Sequence, residues 1–191
     1  KGGNIMNNNE KTYVIERWNG GKCELTAQEL YERVLRDSES DYNWIASAQE
    51  LVRVVNEPDF PKMYKEKIQI IILNCFANLE AKESHFDLEE QNAVYDCYYS
   101  LPNTNEEAKE VKLKYLTAIV STILKECNIF SWKFHTGKRY ETICRKWKKV
   151  KVKECFSAKE INLETLKSEL ANNFLQTIEE AEKKGIFDEA Y

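Results

Sequence analysis

Apolar residues recur along this chain at helical spacing in six stretches and alternate with polar ones in a few short segments. Thr12 to Trp18 is β-branched and aromatic, Asn19-Gly20-Gly21 supplies a turn, and Lys22 to Leu25 returns, so a short hairpin is predicted. Thr26-Ala27-Gln28-Glu29 forms a capping box flanked by Leu25 and Leu30, and predicts a helix over about 27–36. Trp44, Ile45, Ala48, Leu51, Val52 and Val55 predict a second over about 42–56, which Pro58 ends. Pro61 suits the first turn of a third helix, because its missing N–H has no partner to lose there. From Ile68 to Leu79 that helix is apolar almost all round, which predicts burial at the structural centre. Capping boxes at Asp87–Glu90 and Thr104–Glu107 open two more helices. The second carries the stripe Val111, Tyr115, Leu116, Ile119, Val120, Ile123 and Leu124. A last helix over about 163–184 presents Leu163, Leu166, Leu170, Phe174, Ile178 and Ala181, and Gly185 stops it.

Regularity changes after Asn128. Ile129 to Phe134 alternates as a strand does, His135 to Lys138 reads as a turn, and Val150 and Val152 alternate with lysines. A small antiparallel sheet is therefore expected from 12–18, 22–25 and parts of 129–156, although Arg145 to Lys149 also suits a short helix. The fold class is mainly α (α+β): about six helices around a buried central helix, with that sheet. The 191 residues suit a single domain over 6–191 with a basic β/loop insertion at about 129–156. Residues 1–5 read as a cloning scar or disordered start ahead of Met6.

Charge changes the picture. Residues 133–153 hold nine Lys or Arg and one acid, Glu141, for a net +8. The whole chain carries −4, so the rest carries −12. A focused positive field attracts phosphate, while an acidic body resists indiscriminate binding to it. Aromatic rings interleave with the cations. The candidate nucleic-acid-binding set is Lys133, Lys138, Arg139, Tyr140, Arg145, Lys146, Trp147, Lys148, Lys149, Lys151 and Lys153, the cations for phosphate and the rings for base faces. The rival reading is a lysine-protected edge strand, which the alternation of Lys149, Lys151 and Lys153 with Val150 and Val152 suits. A Trp147→Ala variant separates the two: a stacking ring supports binding, a core ring supports stability.

Catalytic chemistry is little in sight. Gly137-Lys138 lacks the upstream glycine of a P-loop, and there is no Gly-x-Ser-x-Gly. Of the two histidines, His85 reads as a helix-flank residue. Cys127, His135, Cys144 and Cys155 lack the tight pairs of a zinc finger. Glu107-Ala108-Lys109 resembles the second half of a nuclease signature but falls in a helix's first turn, where acids suit the dipole. No catalytic residue, metal or cofactor is expected. The six cysteines, none in a C-x-x-C pair, are expected to be free thiols in a reducing compartment. No run of about 18 apolar residues suggests a membrane span.

The segment Tyr13 to Gly21, followed by Leu25 to Tyr31, resembles the openings of small proteins from mobile elements of low-GC Gram-positive bacteria, among them anti-CRISPR proteins. That resemblance covers about twenty residues and carries no site residue with it. It implies a protein of the host cytoplasm that blocks a nucleic-acid-directed defence enzyme by binding. The expected function is thus a non-catalytic binding protein that engages a nucleic-acid enzyme or nucleoprotein. Its concrete form is an inhibitor of a CRISPR effector such as Cas9, with RNA or DNA contacted through the basic tract. A metal-dependent nuclease and a plain helical interaction scaffold are the alternatives.

Overall fold

The computed structural model describes residues 10–40, 44–81, 88–127, 137–158 and 161–187. Among them the chain is mainly helical, with one two-stranded antiparallel sheet. It divides into two compact units. The first is Lys1–Cys75 with Phe86–Ala108, the second Phe76–His85 with Lys109–Tyr191.

In the first unit β1 (Thr12–Glu16) pairs with β2 (Lys22–Thr26), from Thr12 opposite Thr26 to Glu16 opposite Lys22. Alternation puts Tyr13 and Ile15 inside and leaves Val14 outside. Gly20 takes φ +82 in the connecting turn, a conformation that only glycine adopts without strain. Tyr13 packs its ring on Phe60 and donates its hydroxyl to the Asp59 carbonyl. The helix α1 (Ala27–Ser38) begins at the capping box: the Thr26 hydroxyl accepts from the Glu29 N–H, and the Glu29 carboxylate accepts from the Thr26 N–H. That box links strand to helix with no loop between them.

The helix α2 (Ala48–Val55) starts six residues later than the apolar spacing suggests. Ser47 caps it by accepting from the Glu50 N–H. Trp44, Ile45 and Ala46 are buried ahead of the cap in irregular backbone. Asp37 holds that backbone, its carboxylate accepting from the Ile45 N–H while pairing with Arg33. The apolar spacing there reports burial rather than a helix.

The helix α3 (Lys62–Ala81) follows Pro61, whose carbonyl accepts from the Lys65 N–H. From Ile68 to Ala77 it is buried on nearly every side, as predicted, with Ile68, Ile72 and Leu73 fully inside and Ile71 half-buried. Gln69 is also fully buried, and neither of its amide atoms has a hydrogen-bond partner among the described residues. A buried polar group left unbonded costs about 1–3 kcal/mol. Gln69→Leu is therefore expected to raise stability by up to that amount in chemical denaturation. A loss of more than about 1 kcal/mol would instead mean that a buried water bonds the amide.

The helix α4 (Leu88–Ser100) completes the first unit and packs against α2; its predicted cap, Asp87, lies outside the described residues. For α5 (Glu106–Cys127) the cap is Asn105, not Thr104. The Asn105 side-chain Oδ1 accepts from the N–H groups of Glu107 and Ala108. Of the predicted α5 stripe every member is buried except Leu124, which is half-buried.

The largest departure from expectation is in the second unit. Lys138–Ser157 is one continuous helix, α6, not a turn and strand. The basic insertion is thus helical and adds nothing to the sheet, which has only its two N-terminal strands among the described residues. The edge-strand reading of the lysines falls with it. The predicted strand at 129–134 lies outside the described residues. The last helix, α7 (Leu163–Lys183), buries Leu166, Leu170, Phe174, Ile178 and Ala181 as the spacing predicts. It closes at Gly185, which has φ +70. The Gly185 N–H donates to the Glu182 carbonyl and the Ile186 N–H to the Ala181 carbonyl, a Schellman ending. No helix among the described residues is long and apolar enough to cross a membrane.

Candidate nucleic-acid interface

The helix α6 is amphipathic in an unusual way. Tyr140, Trp147 and Cys155 are buried, with Cys144 and Lys151 half-buried beside them, so the inner face runs i, i+4, i+7, i+11, i+15. Against it stands Phe174 of α7, whose ring lies 5.0 Å from Trp147 and 6.4 Å from Tyr140, tilted or edge-on in both cases. The Trp147 indole N–H donates to the Asn173 side-chain carbonyl at 2.8 Å. The Tyr140 hydroxyl is hydrogen-bonded with the Cys144 thiol, and burial pushes its pKa up to about 12. Because the neutral phenol is favoured in the folded state, this group's stabilisation is complete below pH ~10 and is lost as pH rises through ~12.

Both rings are therefore core residues. The sequence places them as stacking surfaces for bases, and burial removes them from that role. The sequence signal was ambiguous because an aromatic between lysines looks the same on either face. Asn173, which orients Trp147, had no local signal at all.

The cations divide by position. At about 100° per residue, Lys138, Arg145, Lys146, Lys149 and Lys153 fall within one arc roughly 100° wide, opposite the buried rings. All five are exposed, and none of their side chains forms a hydrogen bond or ion pair with another described residue. The helix's two acids, Glu141 and Glu154, lie outside this arc. Arg139 sits on its margin and reaches back to donate to the Ile186 carbonyl at 2.5 Å. Lys151 turns inward and pairs with Glu154 at 3.0 Å. Lys148 is half-buried on the opposite flank, and Lys133 lies outside the described residues. Of the eleven candidates, then, five share one open face.

That face contrasts with the rest of the molecule. Elsewhere helical cations find acids three or four residues away: Arg33 with Asp37, Arg53 with Glu50 and Glu57, Lys62 with Glu66, Lys183 with Glu179. On α6 Glu141 stands three residues from Lys138 and four from Arg145 without pairing with either, and the other neighbours at those spacings on this face are Arg145 with Lys149, Lys146 with Lys149, and Lys149 with Lys153. Like-charge pairs of this kind each cost a helix about 0.2–0.5 kcal/mol, so the three together cost on the order of 1 kcal/mol. Among the described residues no ion pair of these cations offsets that cost. A bound polyanion would relieve that repulsion.

The first unit has a separate cleft of about 550 Å³ that motif searching missed. Trp18 is 62% exposed on its wall and is fixed by donating its indole N–H to the Trp44 carbonyl. Glu50 on the floor is bonded to Arg53, which lowers its pKa, and also accepts from the Glu16 N–H. Asn19-Gly20, which sets Trp18 at a turn, was the one sequence clue.

Metal and thiol chemistry give no third site. Among the described residues no group of three or more His, Cys, Asp or Glu side chains is placed to hold a metal ion. Both histidines lie outside those residues. All six cysteines are unpaired. Burial raises the pKa of Cys75 to about 12 and raises those of Cys97, Cys127, Cys144 and Cys155 as well, which keeps these thiols protonated and weakly nucleophilic. No family model, curated protein or solved structure matches the chain.

Proposed function

We propose that this is a non-catalytic binding protein that engages a nucleic acid or nucleoprotein through the outer face of α6. The observation that carries the reading is the unneutralised row Lys138, Arg145, Lys146, Lys149 and Lys153 on a chain of net charge −4. An acidic protein that keeps five open cations on one helical face, against their mutual repulsion, concentrates its attraction for phosphate there. In the form that the N-terminal resemblance implies, the target is a CRISPR effector, blocked by occupancy rather than by chemistry. The cationic face would then contact guide or target phosphate and the acidic remainder would contact protein.

The test is a gel shift at low salt with wild type and a variant carrying Arg145→Glu, Lys146→Glu, Lys149→Glu and Lys153→Glu. The variant is expected to fold, since surface changes usually stay within about 0.5 kcal/mol each, and to lose the shift. Wild-type affinity should fall log–log linearly with salt, with a slope of about −0.9 per phosphate on duplex DNA. Binding that ignores salt, or that survives the reversal, would sink the proposal. Magnesium-dependent degradation of the probe would favour a nuclease instead. An assay of guided cleavage by a purified CRISPR effector, with and without the protein, tests the specific form.

A further inference from the structure

Resting on that reading, we infer that the α6 face recognises the backbone of a double helix without reading its sequence. Three observations lead there. The first is what the face lacks. Binding to single strands draws on aromatic rings on which bases stack, worth about 1–3 kcal/mol per base. Of the three rings of α6, Tyr140 and Trp147 are buried, with the Trp147 N–H bonded to Asn173 and the Tyr140 hydroxyl to Cys144, and Phe156 in the last turn is half-buried. No ring of α6 stands exposed to take a base.

The second is the chemistry that remains. Base edges are read by bidentate groups, above all Arg on guanine and Asn or Gln on adenine. The arc holds four lysines, one arginine and no amide side chain. Thr142, which shares it, donates its hydroxyl to the Lys138 carbonyl at 2.7 Å. Lysine ammonium groups are point charges that meet phosphate at any sequence.

The third is spacing. The helix holds Arg145, Lys149 and Lys153 about 6 Å apart along its axis, and the row from Lys138 to Lys153 is about 22 Å long. A duplex offers one charge per ~1.7 Å of axis and a single strand about half that density. Over the length of the row a duplex therefore presents about twice as many phosphates, on a stiff surface that a rigid helix can match. A flexible strand must lose conformational entropy to align with the row, and on α6 only the half-buried Phe156 is there to offset the loss by stacking.

The experiment titrates the full chain against four probes of equal length at one low salt concentration: two DNA duplexes of unrelated sequence, one of their single strands, and an RNA duplex. The two DNA duplexes are expected to bind within about threefold of each other, and the single strand at least about tenfold more weakly. The RNA duplex is expected to bind above the single strand too, since the shared ligand is double-helical phosphate. A single strand that binds as tightly as the duplexes overturns this inference and leaves the proposed function standing. So does a difference above tenfold between the two DNA sequences. Failure to bind any probe overturns both. Trp147→Phe, which keeps a buried ring but removes its N–H, is expected to leave the order of the four affinities unchanged. A selective loss of single-strand binding in that variant would return the ring to the surface and refute the inference.

Discussion

Trp147→Ala is expected to destabilise the protein by about 3–5 kcal/mol while leaving nucleic-acid affinity per folded molecule unchanged. The indole is 6% exposed, meets the Phe174 ring at 5.0 Å and donates to Asn173. Truncation removes the largest side chain on the inner face of α6 and opens a cavity against α7. It also strips Asn173 of its donor, a smaller loss because that side chain is half-buried and water can replace the bond. Urea denaturation gives the stability change, and gel shifts well below the lowered midpoint give the affinity. A variant of unchanged stability whose affinity drops by roughly 1–3 kcal/mol would mean that the ring stacks on a base after all.

Ile72→Ala in α3 is expected to cost about 2–5 kcal/mol. Its side chain is fully buried, as is that of Ile68 one turn earlier, and Phe76 one turn later is buried as well. The neighbouring Ile71 is the instructive control. Both belong to the apolar run from Ile68 to Leu79, and composition cannot rank them. Ile71 is half-buried, so Ile71→Ala should cost less, because solvent already reaches part of the side chain and little cavity remains. Denaturant midpoints at constant m-value would rank the pair. Equal losses would show that both positions are sealed.

These contrasts mark where local information ends. The hairpin and the start of α1 were legible because their determinants sit within a few residues of one another: Gly20 at the positive φ, and Thr26 and Glu29 exchanging bonds across three positions. The stripes of α5 and α7 were legible because each persists over several turns. The start of α2 was misplaced because Trp44 and Ile45 are buried without being helical, held by a carboxylate seven to eight residues back. The cap of α5 slipped from Thr104 to Asn105 because both residues have capping side chains, and only the backbone path chooses between them.

For the candidate site the division is sharper. Sequence alone determined that positive charge is concentrated in 133–153 and that the rest of the chain is acidic, because charge is a property of residues and not of their arrangement. It also supplied two competing periods. Val150 and Val152 alternate with lysines over a few residues, as an edge strand would, while Tyr140, Cys144, Trp147, Lys151 and Cys155 repeat at helical spacing over sixteen positions. Tertiary structure decided between them. The helical stripe meets Phe174 and Asn173 on α7, more than twenty residues further along the chain, and burying two rings there outweighs the local β-preference of two valines. Once that face turned inward, the helical period placed Lys138, Arg145, Lys146, Lys149 and Lys153 together on the other side, and the aromatic rings that had looked like part of the surface became what holds it in place.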